Sequence, residues 1–561
     1  MSAVGLAQSL WLLVAALGLA LAVSYAGLPM LGQSAFLAVG GYGVLLLGPG
    51  GAGLPLGVAA GLAVSLAAAG GYLTALATAR LDGGYLALAT WTLAWLAQRT
   101  LIAFPDLFGG TEGITRAAPA RLVSRTLGVQ LTLTDRINLC LAAGSCLLIL
   151  AALYRLGRGP AGLDLAGLRE SPGLTASLGV AVAARRRAVL TTTAALGGLA
   201  GAGSAVLLGV ISPVDVSPLL SLELLLAVLL GGTARWWGPV LGIAVLAALP
   251  GGALAPTELG GAPARAVLTA LLLLAAVAAR TVLQRRPRHD LAPLPGRPSE
   301  LPPPRPARRG AELELSHASV RYAGVTALDG VSLTLRGGQV HALIGPNGSG
   351  KSTLLDVLAG DLDAGTVRLD GAPHRARSVP DRVRAGVVRT PQQATVLTGL
   401  SPARQVALGA RGGAGWPQAV LRQLFGTPRS RQQAAELHAA VADTLDVSGL
   451  SKLADLDPVR LTAGERQLLQ VARAVATGAR VLLFDEPAAG MTAAERGQLQ
   501  AVLRRLADGG AAVLIVEHDL RLVAAVADRI TVLDAGRVLA TGDAASVRAD
   551  PAVRHALLGV R

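Results

Sequence analysis

Long uncharged apolar runs fill the first half of the chain, whereas the second half alternates short apolar stretches with charged ones. Runs of about the length that crosses a hydrocarbon core lie at residues 6 to 26, 54 to 78, 84 to 104, 137 to 154, 188 to 211, 236 to 254 and 266 to 283. Two shorter ones, 32 to 48 and 219 to 232, bring the expected number of membrane helices to about nine. From Ala311 onward short apolar strands alternate with helical stretches, the pattern of an α/β domain. Residues 284–309 between these regions carry Pro287, Pro293, Pro295, Pro298, Pro302, Pro303, Pro304 and Pro306 among arginines, which reads as a stiff extended linker rather than a core. The chain therefore divides at sequence level into a polytopic helical membrane domain (1–283), a linker (284–309) and an α/β domain (310–561).

Composition agrees. A mean hydropathy of +0.53, with 15% charged residues, is too apolar for a soluble protein of 561 residues. The net charge of +15 comes from arginines that flank apolar runs and crowd the linker, the placement of cytoplasmic membrane flanks rather than of a nucleic-acid surface, so no nucleic-acid partner is expected. Cys140 and Cys146 are six apart in one apolar run and so lie on different helix faces, and no disulfide framework or metal site follows from them. The first run, Leu10 to Val23, lacks a basic segment before it and is followed by further spans, so it is expected to be a retained helix. Arg80, the loop Arg155 to Arg187, Arg235, and Arg280 to Arg288 fall on one side if each run is crossed once. The loop 105 to 136 then faces outward despite Arg116, Arg121, Arg125 and Arg136.

Small residues crowd several spans, as in Gly197 to Gly203, which suits close helix packing in lipid. Glu223 stands inside an apolar run, where a carboxylate is expensive; structural pairing and a place in a solute path are both open. In the loop 155 to 186, Ala176 to Ala184 is expected to form a short helix, with a solvated loop as the alternative.

Chemistry concentrates at Gly345-Pro346-Asn347-Gly348-Ser349-Gly350-Lys351-Ser352, which follows the apolar run Val340 to Ile344 and precedes Thr353-Leu354-Leu355. A strand, a glycine-rich turn of the form G-x-x-x-x-G-K-[ST] (Walker A) and a helix start together make a phosphate cradle. Glycines let backbone N–H groups curl round an anion, and the helix N-terminus adds partial positive charge. Lys351 is placed to reach the β- and γ-phosphates of ATP and Ser352 to hold Mg²⁺. Only Lys351 and Lys452 are lysines among 50 basic residues, so a compact ammonium is called for at this position. Val481 to Phe484 leads into Asp485 and Glu486 at the end of an apolar strand. Asp485 is the candidate for Mg²⁺ through water, and Glu486 for polarising the attacking water. The nucleotide site fixes the orientation: the basic side, with the α/β domain, faces the cytoplasm.

Leu461-Thr462-Ala463-Gly464-Glu465-Arg466-Gln467 and the helix through Val471-Ala472-Arg473-Ala474 resemble the signature stretch of ABC transporter ATPases. Other marks of that family follow in order. Tyr322 stands where the family stacks an aromatic on adenine, Arg389-Thr390-Pro391-Gln392 resembles its glutamine loop, and Val516-Glu517-His518-Asp519 resembles its switch-histidine strand. Val320 to Ser332, Leu424 to Pro428 and Asp485 to Met491 are similar to the ATPases of branched-chain amino acid (Liv-type) uptake systems. In the membrane half, Gly32 to Phe36, Gly40-Gly41-Tyr42, Arg80 to Tyr85, Gly109 to Ile114, Arg169-Glu170, Gly231-Gly232 and Gly238-Pro239-Val240 resemble the Liv-type permease. The resemblance covers nearly all the chain except the linker and reads as a permease fused to its ATPase. Four positions depart from the pattern: Thr462 for serine, Glu465 for glutamine, Pro391 for phenylalanine and Thr492 for aspartate. Glu465 brings a negative charge towards a partner's nucleotide.

The resemblance implies an ATP- and Mg²⁺-dependent translocase in a multi-pass assembly of the cell membrane. Glu486, His518 and Gln392 are then catalytic. Tyr322, Gly345, Pro346, Asn347, Gly348, Ser349, Gly350, Lys351, Ser352 and Thr353 bind nucleotide, and Thr462, Gly464 and Glu465 meet the nucleotide of a facing subunit. Ser352, Gln392 and Asp485 hold the metal. A second permease, a second ATPase and an extracytoplasmic solute-binding protein are implied as partners. The expected cargo is a branched-chain or other hydrophobic amino acid. Urea or a short amide, an exporting half-transporter and a membrane-tethered regulatory ATPase are the alternatives.

Overall fold

A computed structural model of the chain describes residues 3–81, 83–116, 121–124, 129–132, 135–232, 236–248, 311–322, 324–374, 378–411 and 416–558. The expected span 266 to 283, the linker 284–309, Arg125, Arg235, and Arg280 to Arg288 lie outside them. Two compact units separate: residues up to 169 with those from 182 to 248, and Glu170–Ala181 with the residues from 311 on.

In the first unit, eight of the nine expected segments are helical: Ala3–Ala20, continued by a π-helical turn Leu21–Tyr25, then Gln33–Leu47, Leu56–Ala77, Gly84–Ala103, Asp135–Arg158, Val182–Leu208, Pro218–Leu230 and Gly238–Ala248. Among the described residues four helices are long and apolar enough to cross a membrane: Val4–Tyr25, Leu56–Ala77, Ile137–Arg158 and Val182–Leu208. Val182–Leu208 packs against Ala3–Ala20, Gln33–Leu47 and Leu56–Ala77, and its small residues explain why. A Cβ on Gly40 would collide with Gly198 O, one on Gly201 with Leu37 O, and one on Gly71 with the Ala194 Cβ. Backbones this close are reached only where no side chain intervenes. The helix begins six residues before the expected 188, because Arg185 finds buried Asp164 at 3.0 Å and Arg186 bonds Leu81 O, so the basic stretch is satisfied inside the helix.

Some buried polar groups of this bundle bond across helices. The Gln33 amide, fully buried, donates to Ala15 O and Thr193 O, both at 3.2 Å, and the Ser34 N–H donates to Ser221 Oγ at 2.9 Å. Glu223 is 1% exposed on Pro218–Leu230. Cys140 is exposed and Cys146 buried, both free, on two faces of one helix.

The second unit is built on a six-stranded sheet in the order Val387–Arg389, Val481–Asp485, Ala512–Val516, Val340–Ile344, Arg529–Asp534, Arg537–Gly542, parallel but for the last pair. Strands 340–344, 481–485 and 512–516 are buried along their whole length, as parallel strands covered on both faces must be. An antiparallel sheet, Val325–Arg336, Glu312–Tyr322, Thr366–Leu369, Ala372–Pro373, shares its apolar core with the cradle helix Lys351–Ala359 through Leu313, Leu315, Leu328, Leu354 and Leu358. Helices Pro402–Ala410, Pro428–Val447 and Ala463–Ala476 pack together as a helical layer. The segment Glu170–Ala181 contains the helix Pro172–Ser177, not the helix expected over 176 to 184. Ser171 caps it through Leu174 N, Pro172 stands in its first turn, and Gly179 at φ 88° breaks it before 184.

Candidate active site

The parallel strands deliver their functional residues at their carboxyl ends, where open α/β sheets present sites. Val340–Ile344 runs into the cradle, whose Gly348 and Gly350 take φ of 80° and 101°, backbone that a side chain disfavours. A Cβ on Gly350 would strike Ala327 O, so the loop is clamped against the neighbouring sheet as well as curled. Lys351 opens the helix Lys351–Ala359, and its Nζ donates to Gly345 O at 2.9 Å and Pro346 O at 2.8 Å. Burial lowers the pKa of this ammonium, while Glu486 and Asp485 oppose the shift. Ser349 Oγ is buried without a hydrogen-bond partner, and the Ser349 carbonyl accepts from Gly536 N at 3.0 Å. Asn347, Gly348 and Ser352 are exposed, and Thr353 lies half-buried in the first helical turn.

A cavity of about 490 Å³ is lined by Ser352, Gln392 and Asp485 together with Arg389, Thr390, Ser171 and Leu174. Asp485 is buried at the end of Val481–Asp485, and burial raises its pKa, with Arg389 opposing. Arg389 Nη2 lies 3.4 Å from Asp485 Oδ2 and Nη1 pairs with Asp356, so one guanidinium orients the carboxylate. Glu486 follows at φ 48°, left-handed backbone rare outside glycine, with its N–H donating to Val516 O at 3.0 Å. Strands 481–485 and 512–516 are neighbours, so Glu486 and the exposed His518 emerge from adjacent strand ends. Tyr322 ends Glu312–Tyr322 and is 48% exposed, open to stacking.

Thr462, Gly464 and Glu465 do not line this cavity. Thr462 caps Ala463–Ala476 in a capping box, its Oγ1 accepting from Glu465 N at 3.1 Å while Glu465 Oε2 accepts from Thr462 N at 2.8 Å. The Glu465 charge is thus turned onto its own helix end. Thr462 Oγ1 also donates to Glu495 Oε1 at 3.0 Å, and the Glu495 carboxylate lies over Gly464. Hydrogen bonds from the Thr492 N–H and hydroxyl hold the Glu495 carboxyl below the usual carboxylate range.

Four residues of this region escaped sequence reading as site members: Arg389, Glu495, Glu517 and Gln405. Glu517 is 2% exposed and accepts from Ala488 N at 2.9 Å, tying down the turn after Glu486; burial raises its pKa. Its position beside His518 at the end of an apolar strand was the available signal.

The donor set fits Mg²⁺ and a nucleotide phosphate. Ser352, Gln392 and Asp485 offer hard oxygens, the Lys351 ammonium feels the charge of Asp485, and the Ser349 hydroxyl within the cradle turn is buried without a hydrogen-bond partner. Among the described residues no cluster of three His, Cys, Asp or Glu side chains offers another metal site.

Residues 1–277 match the family described as branched-chain amino acid transport system / permease component, and residues 328–489 match the ABC transporter family. The chain is 34% identical over 256 residues to the high-affinity branched-chain amino acid transport ATP-binding protein BraF of Pseudomonas aeruginosa, covering 44% of this chain and 97% of that protein. It is 36% identical over 248 residues to a putative ribose/galactose/methyl galactoside import ATP-binding protein of Burkholderia ambifaria, covering 44% of this chain and 45% of that one. The chain thus spans about half the length of the curated sugar-import relatives it matches. A solved ATP-binding cassette of an ABC transporter in its ADP conformation is 28% identical, with a TM-score of 0.39, covering 45% of this chain and 99% of that one.

Proposed function

The chain belongs to the ABC transporter family, an ATP-binding cassette preceded in one polypeptide by a permease of the branched-chain amino acid transport type, and from that premise we propose that it is an ATP-driven uptake subunit for branched-chain or other hydrophobic amino acids. The observation that carries this reading is the meeting of Ser352, Gln392 and Asp485 in one cavity, in a chain whose first 277 residues match a permease.

Hydrolysis is phosphoryl transfer to water, for which a protein supplies position and charge. Mg²⁺, held by Ser352, Gln392 and Asp485, would neutralise charge on the phosphate oxygens. The Lys351 ammonium moves from the Gly345 and Pro346 carbonyls to the β- and γ-phosphates. Glu486 accepts a hydrogen bond from the attacking water and so fixes its direction. His518, exposed on the adjacent strand end, contacts the γ-phosphate, and Tyr322 stacks on adenine. A second ATPase faces the cradle with its own signature, a second permease completes the path, and a solute-binding protein outside the membrane delivers the cargo.

The permease match and the BraF likeness favour amino acids. The sugar-import relative makes ribose a necessary control. Proteoliposomes bearing the chain with its co-encoded partners are offered radiolabelled leucine, isoleucine or valine, and separately ribose, galactose and urea. ATP-dependent accumulation of the amino acids supports the reading. Accumulation of ribose or urea instead reassigns the cargo, and none of them moving overturns it.

A further inference from the structure

Gln405 lies fully buried in Pro402–Ala410, and its amide is saturated. Nε2 donates to Leu397 O at 2.9 Å and Leu400 O at 2.8 Å; Oε1 accepts from Leu397 N at 3.2 Å and Arg473 Nη1 at 3.0 Å. Arg473, on Ala463–Ala476, is 1% exposed, and its Nε and Nη2 have no hydrogen-bond partner among the described residues. A buried guanidinium whose recorded bond is to a neutral amide is poor packing, since an apolar side chain fills the same space without desolvating a charge.

The loop that Gln405 clasps also reaches Glu170. Thr398 Oγ1 donates to Glu170 Oε2 at 3.2 Å, and Gly399 lies so close under Glu170 that a Cβ there would stand 2.6 Å from Oε1. Glu170 begins the segment Glu170–Ala181, which belongs to the ATPase unit and continues covalently into the central membrane helix Val182–Leu208. At its other end the helix carrying Arg473 starts from Thr462 in the signature, and its Gln470 Nε2 also donates to Pro391 O at 2.5 Å, one residue before Gln392.

We propose that Gln405 is a positioning residue that links the signature helix Ala463–Ala476 to the segment Glu170–Ala181, by holding Arg473 and the Leu397–Leu400 loop in one rigid joint. A displacement of the signature helix moves Arg473, Gln405 carries it to the loop, and Thr398 and Gly399 pass it to Glu170. The proposal deepens the transport reading by naming how nucleotide state reaches the chain leading into the membrane. Its test reads segment motion, which would persist if no solute were moved, so the two readings fail separately.

The full chain in lipid nanodiscs is followed by amide hydrogen exchange with and without MgATP. In the parent, MgATP slows exchange in the cradle helix Lys351–Ala359 and also in Glu170–Ala181. Gln405→Leu removes all four bonds, and Gln405→Glu keeps the acceptors for Arg473 and Leu397 N while losing both donors. In either variant the Leu397–Leu400 loop should exchange about tenfold faster, the effect of losing one or two net hydrogen bonds locally. Glu170–Ala181 should lose its nucleotide response while Lys351–Ala359 keeps its own. If Gln405→Leu does not fold, Gln405→Glu decides. A parental MgATP response of Glu170–Ala181 in Gln405→Glu, no such response in the parent, or simultaneous loss of the cradle response in Gln405→Glu overturns the proposal.

Discussion

Glu486 holds a φ of 48°, backbone that costs of order 1–3 kcal/mol for a non-glycine residue and persists only where its surroundings impose it. Its N–H on Val516 O and the Glu517 grip on Ala488 N are those surroundings. Glu486→Gln keeps that backbone and the cradle, and removes only the charge that directs water. ATP turnover should fall by roughly 10²- to 10⁴-fold with nucleotide affinity unchanged, as titration calorimetry with MgATP would read. Equal loss of affinity contradicts the assignment. Lys351→Arg should fail too, because a planar fork does not fit a turn that seats one ammonium between Gly345 O and Pro346 O. The expected loss in ATP affinity is about 10- to 100-fold, the worth of a charge-assisted hydrogen bond of about 1.5–3 kcal/mol. Near-parental hydrolysis would mean that lysine is not required there. His341, buried in the strand leading to the cradle and bonded to Thr531 Oγ1 at 2.8 Å, has its pKa lowered to about 4 by burial and then by Arg529. The unfolded chain binds this proton near pH 6.5 and the folded one does not, so this contribution is intact at neutral pH and is lost as pH falls from 6.5 towards 4. About 3 kcal/mol is at stake across that window. Native-state exchange of Val340–Ile344 at stepped pH would read it, and the slope should vanish in His341→Gln. The glycine-lysine cradle and the Asp485-Glu486 strand end were legible because each is a short local motif. Arg389, Gln405 and Glu517 were not, because their roles come from partners 96, 68 and 29 residues away in sequence.

At the scale of elements, eight of the nine expected apolar segments are helical in the described residues, and four described helices are long and apolar enough to cross a membrane. Val182–Leu208 starts earlier than hydropathy suggests because buried Asp164 satisfies Arg185, a contact that no window average contains. The short helix lies at Pro172–Ser177 for reasons local to the sequence: a serine cap, a proline in the first turn and a glycine stop. Arg169 and Glu170 are consecutive yet anchored apart, Arg169 Nη1 on Ser24 O at 2.5 Å within the membrane unit and Glu170 on Thr398 within the ATPase unit. Arg169→Ala with Glu170→Ala should therefore leave basal ATPase within about twofold, since neither residue lines the cavity that brings Ser352, Gln392 and Asp485 together, yet abolish its stimulation by the solute-loaded binding protein. Unchanged transport in vesicles would return the segment to a plain connecting loop.

At the scale of the molecule, one chain supplies half of the proposed machine. A homodimer would place Thr462, Gly464 and Glu465 opposite each cradle, with the Glu465 and Glu495 carboxylates beside them, and like charges near a γ-phosphate repel where the effective dielectric is low. The chain alone should bind ATP and hydrolyse it slowly. It should speed up when paired with a second, non-identical ATPase of the family, and alone with Glu465→Gln, which retains the capping box and loses the charge. Full activity alone, indifferent to both changes, would make a homodimer the better reading. Whether ATP hydrolysis at this nucleotide site drives amino-acid uptake is read by measuring leucine uptake and ATP hydrolysis in the same proteoliposomes, assembled with partners and carrying either the parent chain or Glu486→Gln. Both rates should collapse together in the variant while ATP remains bound. Uptake that continues after Glu486→Gln has stopped hydrolysis at this site would contradict it.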